Sequence, residues 1–206
     1  MTLDGVGVVP VVVIDDVARA PGLVAALAAG GIRCVEITLR TDAALSTIRA
    51  AADAAPDDFL VGAGTVLSVV DVDRVVEAGA RVVVSPGFDE AVVTRCAGLG
   101  VPVIPGVATA TEVQRAHSAG LDRLKFFPAG SMGGLATIEA LSAPFPGIRF
   151  MPSGGVDASN AAEYAASRAV FAVSGSWMAP RGLIAGGDWT EITRRSREAM
   201  KLVSTT

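Results

Sequence analysis

Three polar side chains alternate with apolar ones in the segment CVEITLRT, residues 34–41. Glu36, Thr38 and Arg40 lie two positions apart, so in a strand their side chains point to one face. A carboxylate and a guanidinium are costly to bury unless they are paired or used in function. One explanation is a structural ion pair or a charge at the rim of the fold. The other is a general base together with a guanidinium fork that binds both oxygens of a carboxylate.

Lys125 interrupts an apolar strand in the segment LDRLKFFPAG, residues 121–130. Of the 17 basic residues, 15 are Arg and two are Lys, so Arg is the usual residue here where only charge is needed. An amine can lose its proton, which a guanidinium cannot do. An apolar pocket beside a second cation such as Arg40 would favour the neutral amine, a nucleophile. The alternative is a lysine that reaches solvent at the rim of the fold.

Glycine-rich turns follow three of the apolar segments. In VGAGTVL (residues 61–67), Gly62 and Gly64 would let a ligand approach the backbone, and Thr65 adds a hydroxyl and an N–H. The other two turns are PSGGV (residues 152–156) and VSGSW (residues 173–177), whose backbone N–H groups suit an anion. Ordinary conformational turns are the alternative for each. The candidate phosphate-binding residues in the last two turns are Gly154, Gly155, Gly175 and Ser176.

Short β-branched runs alternate with Ala-rich segments of helical spacing, which indicates βαβ units and a parallel sheet. The predicted strands are residues 8–14, 32–38, 59–62, 81–85, 101–105, 121–127, 148–152 and 169–174. The predicted helices include residues 17–29, 43–54, 70–78, 90–99, 110–119 and 158–166.

This series predicts an α/β fold, a TIM (β/α)8 barrel that forms a single domain over residues 1–206. A doubly wound open sheet is the structural alternative. In a barrel, the polar candidates above fall at the carboxyl ends of strands, where active sites of this fold are built. The turns after the last two strands are at the usual phosphate site of such barrels.

The composition excludes several classes of protein. With 51% hydrophobic and 18% charged residues, the chain is too apolar for a disordered protein. A net charge of −4 and a pI of about 5.0 offer no basic surface for nucleic acid. The longest uncharged run, residues 96–111, contains Gly and Pro and is too short to span a membrane. The first residues lack the basic region of a secretory signal, so we expect a cytoplasmic protein.

Metal chemistry has few ligands to draw on in this sequence. Cys34 and Cys96 do not form a CxxC pair, and His117 is the one histidine. A zinc site or an iron site built from Cys and His is therefore not supported. We expect a reaction without a metal or an organic cofactor.

Eight motifs, in their order and spacing, resemble one known family. They are VVPVVVI, GGIRCVEITLRT, VGAGTVL, VSPGF, VPVIPGVATATE, LKFFPAG, PSGGV and SGSW. The sequence resembles the 2-keto-3-deoxy-6-phosphogluconate (KDPG) aldolases, a family that also acts on 4-hydroxy-2-oxoglutarate (KHG), from about Val8 to about Ala199. The resemblance implies a class I, Schiff-base aldolase on a TIM barrel, a phosphorylated 2-keto acid as substrate and a homotrimer.

The resemblance also assigns roles to residues. Lys125 matches the Schiff-base lysine and Glu36 the acid/base, while Arg40 and Thr65 match the groups that hold the pyruvate carboxylate. Phe127 matches an aromatic residue that lines the pocket. The phosphate-binding loops of the family fall on Gly154, Gly155 and Ser176.

The sequence departs from the family pattern at a few positions. Gly130 and Met132 stand where members often have Glu and Asn, which implies a different shape for that loop. Ser153 stands where Thr is common and keeps the hydroxyl. About seven residues precede the first predicted strand, where relatives often have a helix under the barrel, so the closure of the barrel bottom is left open.

Other functions fit the same residues. A phosphosugar isomerase or epimerase would use Glu36 to move a proton and would need no imine. A non-catalytic phosphosugar-binding barrel would bind a ligand without releasing pyruvate. Within the aldolases, the galactonate-series enzyme differs in the stereochemistry at C4, which the sequence does not resolve.

Overall fold

The strands and helices alternate along the chain in a computed structural model that describes residue 3 and residues 5–204. The strands are β1 (Gly7–Val12), β2 (Cys34–Thr38), β3 (Leu60–Gly64), β4 (Val82–Val84), β5 (Val103–Ile104), β6 (Gly106–Val107), β7 (Arg123–Phe126), β8 (Arg149–Pro152) and β9 (Ala172–Gly175). The α-helices are α1 (Ala20–Ala29), α2 (Ala44–Ala54), α3 (Val69–Glu77), α4 (Glu90–Leu99), α5 (Ala110–Ser118), α6 (Gly134–Ser142), α7 (Ala161–Ala166), α8 (Arg181–Gly186) and α9 (Trp189–Ser204). Short 3-10 helices cover Val17–Arg19 and Gly130–Met132.

The parallel strands close into a barrel. One sheet has the order β5-β4-β3-β2-β1-β9 and the other has the order β6-β7-β8. Strand β5 is at the edge of the first sheet and β6 is at the edge of the second, and only Pro105 separates them in the chain. Together they occupy one place in the ring of strands and connect the two sheets. Strands β8 and β9 are joined by a bridge between Phe150 and Val170, and the Phe171 N–H donates to the Phe150 carbonyl at 3.0 Å. The predicted TIM barrel is therefore confirmed, and the closed order excludes an open sheet.

The fifth strand differs from its prediction. The sequence predicts one strand over residues 101–105, whereas the structure has β5 within this range, an interruption at Pro105, and a second strand, β6, beyond the predicted end. Proline has no N–H to donate to a neighbouring strand, which explains the interruption. The Pro105 carbonyl still accepts from the Lys125 N–H at 2.9 Å, so β7 remains held at this point.

Side-chain caps fix the starts of three helices that follow strand ends. Ser68 accepts from the Asp71 N–H at α3, and Asp89 accepts from the Val92 N–H at α4. At α5, Thr109 and Glu112 form a capping box in which each side chain satisfies a free backbone N–H. These caps define where the loops above β3, β4 and β6 end, so they limit the freedom of loops beside the upper end of the barrel.

A cavity of about 210 Å³ lies at the amino ends of the strands, at the lower end of the barrel. Leu3 is buried at 4% exposure and borders this cavity beside Val103 and Phe171. The Arg123 guanidinium lies 5.7 Å from the centre of the Phe171 ring, a cation–π arrangement.

The burial of both cysteine thiols leads to a prediction about their reactivity. Cys34 and Cys96 are buried, and burial raises the pKa of both thiols, to about 11 for Cys96. The Cys34 thiol also donates to the Val8 carbonyl at 3.3 Å. Because thiolates are the reactive form, we expect neither thiol of the folded protein to react with Ellman's reagent at pH 8, and both to react in denaturant. Rapid reaction of either thiol in the folded protein would contradict the packing described here.

Candidate active site

A buried ion pair crosses the upper interior of the barrel. The Lys125 Nζ donates to Glu36 Oε1 at 3.1 Å, and the two side chains are 8% and 2% exposed. Lys125 lies on β7 and Glu36 on β2, strands that are not neighbours in either sheet. The contact therefore spans the barrel, and it is made between two residues that the sequence selects for their chemistry. Removing one partner of such a pair leaves an uncompensated buried charge, which typically costs about 3–5 kcal/mol.

The two oxygens of the Glu36 carboxylate have different surroundings. Oε1 accepts from Lys125, whereas Oε2 is buried and has no hydrogen-bond partner among the described residues. Most buried polar atoms in proteins are hydrogen-bonded, so an orphaned carboxylate oxygen is uncommon. Oε2 is therefore able to take up a proton from a group placed beside the lysine amine.

Gly64 makes room for the Glu36 side chain. A Cβ atom at position 64 would lie 2.7 Å from Cγ and 2.8 Å from Cδ of Glu36, closer than packed carbon atoms allow. At Gly62 the same atom would lie 2.6 Å from a Val82 methyl group. The sequence suggests that both glycines admit a ligand, but the neighbours that require them are the glutamate and a core valine. Gly62 and Gly64 are absent from the described lining of the cavity above the barrel.

Thr65 turns the chain at the end of β3 with a strained backbone. Its φ angle is +60°, the one positive value at a non-glycine residue in the described part of the chain. A β-branched residue is disfavoured in this region, and such strain concentrates at functional sites. Thr38, one strand away, is buried and donates its hydroxyl to the Val12 carbonyl at 2.9 Å. Its hydroxyl therefore links β2 to β1, although the residue also borders the cavity.

A cavity of about 580 Å³ opens above the ion pair at the carboxyl ends of the strands. This volume lies within the usual range for sites that bind small molecules. Apart from Gly62 and Gly64, the structure brings the site residues predicted from the sequence to this one cavity: Glu36, Arg40, Thr65, Lys125, Phe127, Gly154, Gly155, Gly175 and Ser176. The remaining lining is Val11, Val13, Thr38, Pro86, Ser153, Val156, Ala179, Pro180 and Arg181.

Phe127 lies near both Lys125 and the glycine loop after β8, PSGGV. The centre of its ring is 5.4 Å from the Lys125 Nζ, and a Cβ atom at Gly154 would lie 3.3 Å from the ring. Gly154 and Gly155 have φ angles of +84° and +81°, a conformation that favours glycine. The Gly130 N–H donates to the Gly154 carbonyl at 2.8 Å, so the loops above β7 and β8 are tied together. The glycine at position 130, a departure from the family pattern, is thus part of this contact.

The glycine loop after β9, VSGSW, packs tightly against its surroundings. Gly175 is buried, and a Cβ atom there would lie 2.9 Å from the Val156 carbonyl oxygen and closer still to the Trp177 ring. Ser176 is exposed at the mouth of the cavity. The close approach at Gly175 places the turn after β9 beside the turn after β8, so the two predicted phosphate-binding turns border one part of the cavity.

The matching family model, described as KDPG and KHG aldolase, covers residues 2–195. The chain belongs to this family. It is 46% identical over 201 residues to the 2-dehydro-3-deoxy-phosphogluconate aldolase of Treponema pallidum (strain Nichols), a match that covers 98% of this chain and 95% of that protein.

Two solved structures of KDPG aldolases are also similar to this barrel. The enzyme from Legionella pneumophila, with pyruvate captured at low pH as a covalent carbinolamine intermediate, has a TM-score of 0.91 and 37% identity, over 95% of this chain and 94% of that one. The enzyme from Zymomonas mobilis ZM4, with 3-phosphoglycerate, has a TM-score of 0.90 and 37% identity, over 96% and 92%.

One cation that lines the cavity of this family member was missed from the sequence. Arg181 begins α8, five residues after Ser176, and its Nε donates to Asp15 Oδ2 at 2.7 Å. The hydrogen bond from Arg181 holds the pKa of the Asp15 carboxyl below its usual value. Because Arg181 closely follows Ser176 in the chain, its position could have indicated a role in the site. Arg is frequent in this chain, however, so the residue type did not distinguish it. Its contact with Asp15, which is 166 residues away in the chain, depends on the tertiary structure and could not be predicted from the sequence.

The charged groups of this region are not arranged for a metal ion. In the described ranges, no group of three or more His, Cys, Asp and Glu side chains is placed to hold a metal.

No helix in the same ranges is long and apolar enough to cross a membrane.

The fit of Glu36 against Gly64 generates a prediction. In Gly64→Ala the new methyl group displaces the Glu36 carboxylate from Lys125, so aldolase turnover falls about tenfold to a hundredfold, the scale of acid–base catalysis. Turnover and thermal unfolding are measured together. Gly62→Ala is the matched control, because its methyl group meets Val82 and lowers stability without reaching Glu36.

A second variant separates this steric effect from general damage. Glu36→Asp shortens the side chain by one methylene, which makes room for the new methyl group. The double variant Gly64→Ala/Glu36→Asp should therefore lose less turnover than the product of the two single losses. A turnover loss in the double variant equal to the product of the two single losses would refute the role given to Gly64. So would an equal turnover loss in Gly62→Ala.

Proposed function

We propose that this protein is a class I aldolase that cleaves KDPG to pyruvate and glyceraldehyde 3-phosphate through a Schiff base on Lys125. The observation that carries the proposal is the buried Lys125–Glu36 contact of 3.1 Å beneath a cavity at the carboxyl ends of the strands. A lysine beside a carboxylate has a base within reach of its proton, which a nucleophilic amine requires. The capture of pyruvate as a carbinolamine in the Legionella pneumophila enzyme supports the same chemistry here.

The first step forms the imine. Glu36 takes a proton from the Lys125 ammonium, and the neutral amine adds to the C2 carbonyl of the substrate. The C2 oxygen then leaves as water, which gives an iminium between C2 and the lysine nitrogen. The orphaned Glu36 Oε2, within the same carboxylate, supplies the second site through which protons are exchanged during this step.

The second step breaks the C3–C4 bond. The electron pair of that bond moves toward the iminium, which becomes an enamine, while the C4 hydroxyl gives its proton to Glu36 directly or through one water. Glyceraldehyde 3-phosphate leaves. The enamine is then protonated at C3, and hydrolysis of the resulting iminium releases pyruvate and restores the Lys125 amine.

The cavity offers distinct surroundings for the two ends of the substrate. We propose that Arg40 and the N–H and hydroxyl of Thr65 bind the carboxylate, and that Phe127 covers the carbon chain near the lysine. The phosphate is assigned to the two glycine loops, with contributions from Gly154, Gly155, Gly175 and Ser176. Support comes from the shared cavity and from the 3-phosphoglycerate found with the Zymomonas mobilis enzyme.

Cleavage of KHG to pyruvate and glyoxylate is a second proposed activity, because the matching family is described by both substrates. It uses the same bond and the same residues at C2 to C4. An isomerase or epimerase would form no imine, and a binding protein would release no pyruvate. We propose a cytoplasmic role in the Entner–Doudoroff breakdown of sugars, and a single domain, since the described apolar core forms one cluster.

The imine can be trapped. We expect borohydride added with pyruvate to attach one pyruvate to each wild-type chain, with Lys125 as the modified residue in peptide mass spectra. Lys201→Arg, the matched control in α9, should keep both the adduct and KDPG cleavage. Lys125→Arg should lose both while its circular dichroism spectrum is unchanged, since a guanidinium does not form the imine. No adduct, or an adduct on Lys201, would overturn the proposal.

We also propose a homotrimer, with contacts made by an apolar patch that consists of Leu67, Val69 and Val70. Leu67 and Val70 are 62% and 63% exposed and Val69 is 36% exposed, so three large apolar side chains face solvent within four positions of the chain. The patch adjoins the exposed edge of α4 at Arg95, where a surface groove runs beside Val69. Apolar exposure of this kind marks sites of protein association.

Light scattering after gel filtration measures the assembly. The wild-type protein should have three times the mass of one chain, and Val70→Asp should shift it toward the monomer because a buried unpaired carboxylate destabilises an interface. Ala162→Asp, the same change of charge at an exposed position of α7, serves as the control and should remain a trimer. A trimer that withstands Val70→Asp would place the interface elsewhere.

A further inference from the structure

Arg181 lies where the active-site cavity meets a second, smaller cavity. It lines the 580 Å³ cavity together with Ser176 and Pro180 of the last glycine loop. It also lines a neighbouring cavity of about 80 Å³, which Asp15 and Arg19 border. Among the described lining of the larger cavity, the side chains with a permanent positive charge are Arg40 and Arg181. Arg181 follows the glycine loop of Ser176, whereas Arg40 follows the strand of Glu36.

The ion pair with Asp15 uses one edge of the Arg181 guanidinium. Nε and Nη2 donate to the two carboxylate oxygens of Asp15, with 2.7 Å between Nε and Oδ2. A guanidinium has five N–H donors in a planar fork, so this arrangement leaves the N–H groups of Nη1 for another acceptor. The described residues provide no acceptor at Nη1. A second anion can therefore bind while Asp15 stays in place.

The same pair contributes little to the stability of the fold. The Arg181 and Asp15 side chains are 62% and 50% exposed, and water and salt screen the attraction between charges at such exposed positions. A stabilising role alone is thus a weak reason for this cation to line the cavity. It also means that variants of either residue should remain folded, which makes the role testable.

We propose that Arg181 is the cationic contact for the terminal phosphate of the substrate. The inference rests on the function proposed above and extends it, since backbone N–H groups of glycine loops carry no net charge and do not by themselves balance a phosphate dianion. A guanidinium matches phosphate geometry through paired N–H···O bonds, and charge-assisted bonds of this type are about twice as strong as neutral ones. Arg181 therefore selects phosphorylated over unphosphorylated 2-keto acids.

The test compares three variants in KDPG cleavage. Arg181→Gln removes the charge and should raise the KM for KDPG about tenfold, at the low end for a charged hydrogen bond because the site is exposed. The pyruvate concentration that half-saturates borohydride trapping should stay within about twofold of wild type, because it does not involve the phosphate. Arg19→Gln, which loses the same charge beside the small cavity only, should leave the KM unchanged.

Asp15→Asn separates phosphate binding from a purely structural ion pair. It breaks the pair but keeps the cation, so its KM for KDPG should be closer to wild type than that of Arg181→Gln. An equal increase in both variants would show that the pair, rather than the cation, matters. No change in Arg181→Gln, or an equal change in Arg19→Gln, would also overturn the inference.

A binding measurement keeps this inference separate from the proposed function. Glycerol 3-phosphate should bind wild type at fixed ionic strength, measured by calorimetry, and glycerol should not. Arg181→Gln should weaken that binding about tenfold. If the wild-type protein fails to cleave KDPG, the proposed function is wrong, and the calorimetry still decides whether Arg181 binds phosphate. Unchanged binding of glycerol 3-phosphate in Arg181→Gln would contradict the inference even if cleavage is confirmed.

Discussion

The cost of holding two opposite charges inside a barrel governs the construction of this site. Lys125 and Glu36 are nearly excluded from water, so each compensates the charge that the other would leave unpaired. The surroundings serve the same contact: Gly64 leaves space for the carboxylate, and the Phe127 ring lies 5.4 Å from the amine. A pair in this position is a weak source of stability but a strong constraint on geometry, because a small displacement of either group leaves a buried charge without a partner.

The cavity changes character from its floor to its mouth. Lys125 and Glu36, the groups proposed to react, lie at the floor, where exposure to water is small and electrostatic interactions are strong. Arg40, Ser176 and Arg181 lie at the exposed rim, where charged ends of a substrate would be bound. Little bulk water reaches the floor, which strengthens the interactions between charged groups there, whereas a phosphate or carboxylate loses less of its hydration at the rim.

The glycines of the site show the limit of sequence reasoning most clearly. Sequence alone suggests close approach of a ligand at Gly62 and Gly64, yet their required neighbours are Val82 and Glu36 from other strands. By contrast, the positive φ angles of Gly154 and Gly155 agree with the turn that PSGGV predicts. Conformation at a turn is a local property, so the motif predicts it. Which side chain occupies the space beside a glycine depends on strand register, which a motif does not contain.

The sequence by itself determined the alternation of strands and helices, the barrel, and the polar residues that end its strands. Those features depend on local periodicity and on the choice of residue, such as one lysine in an apolar strand of an arginine-rich chain. The tertiary structure decided what lies next to what. It brought Glu36 to 3.1 Å from Lys125 across 89 residues and paired Arg181 with Asp15 across 166. Such contacts arise only when parallel strands close on themselves, because closure sets the distances between side chains that are remote in sequence.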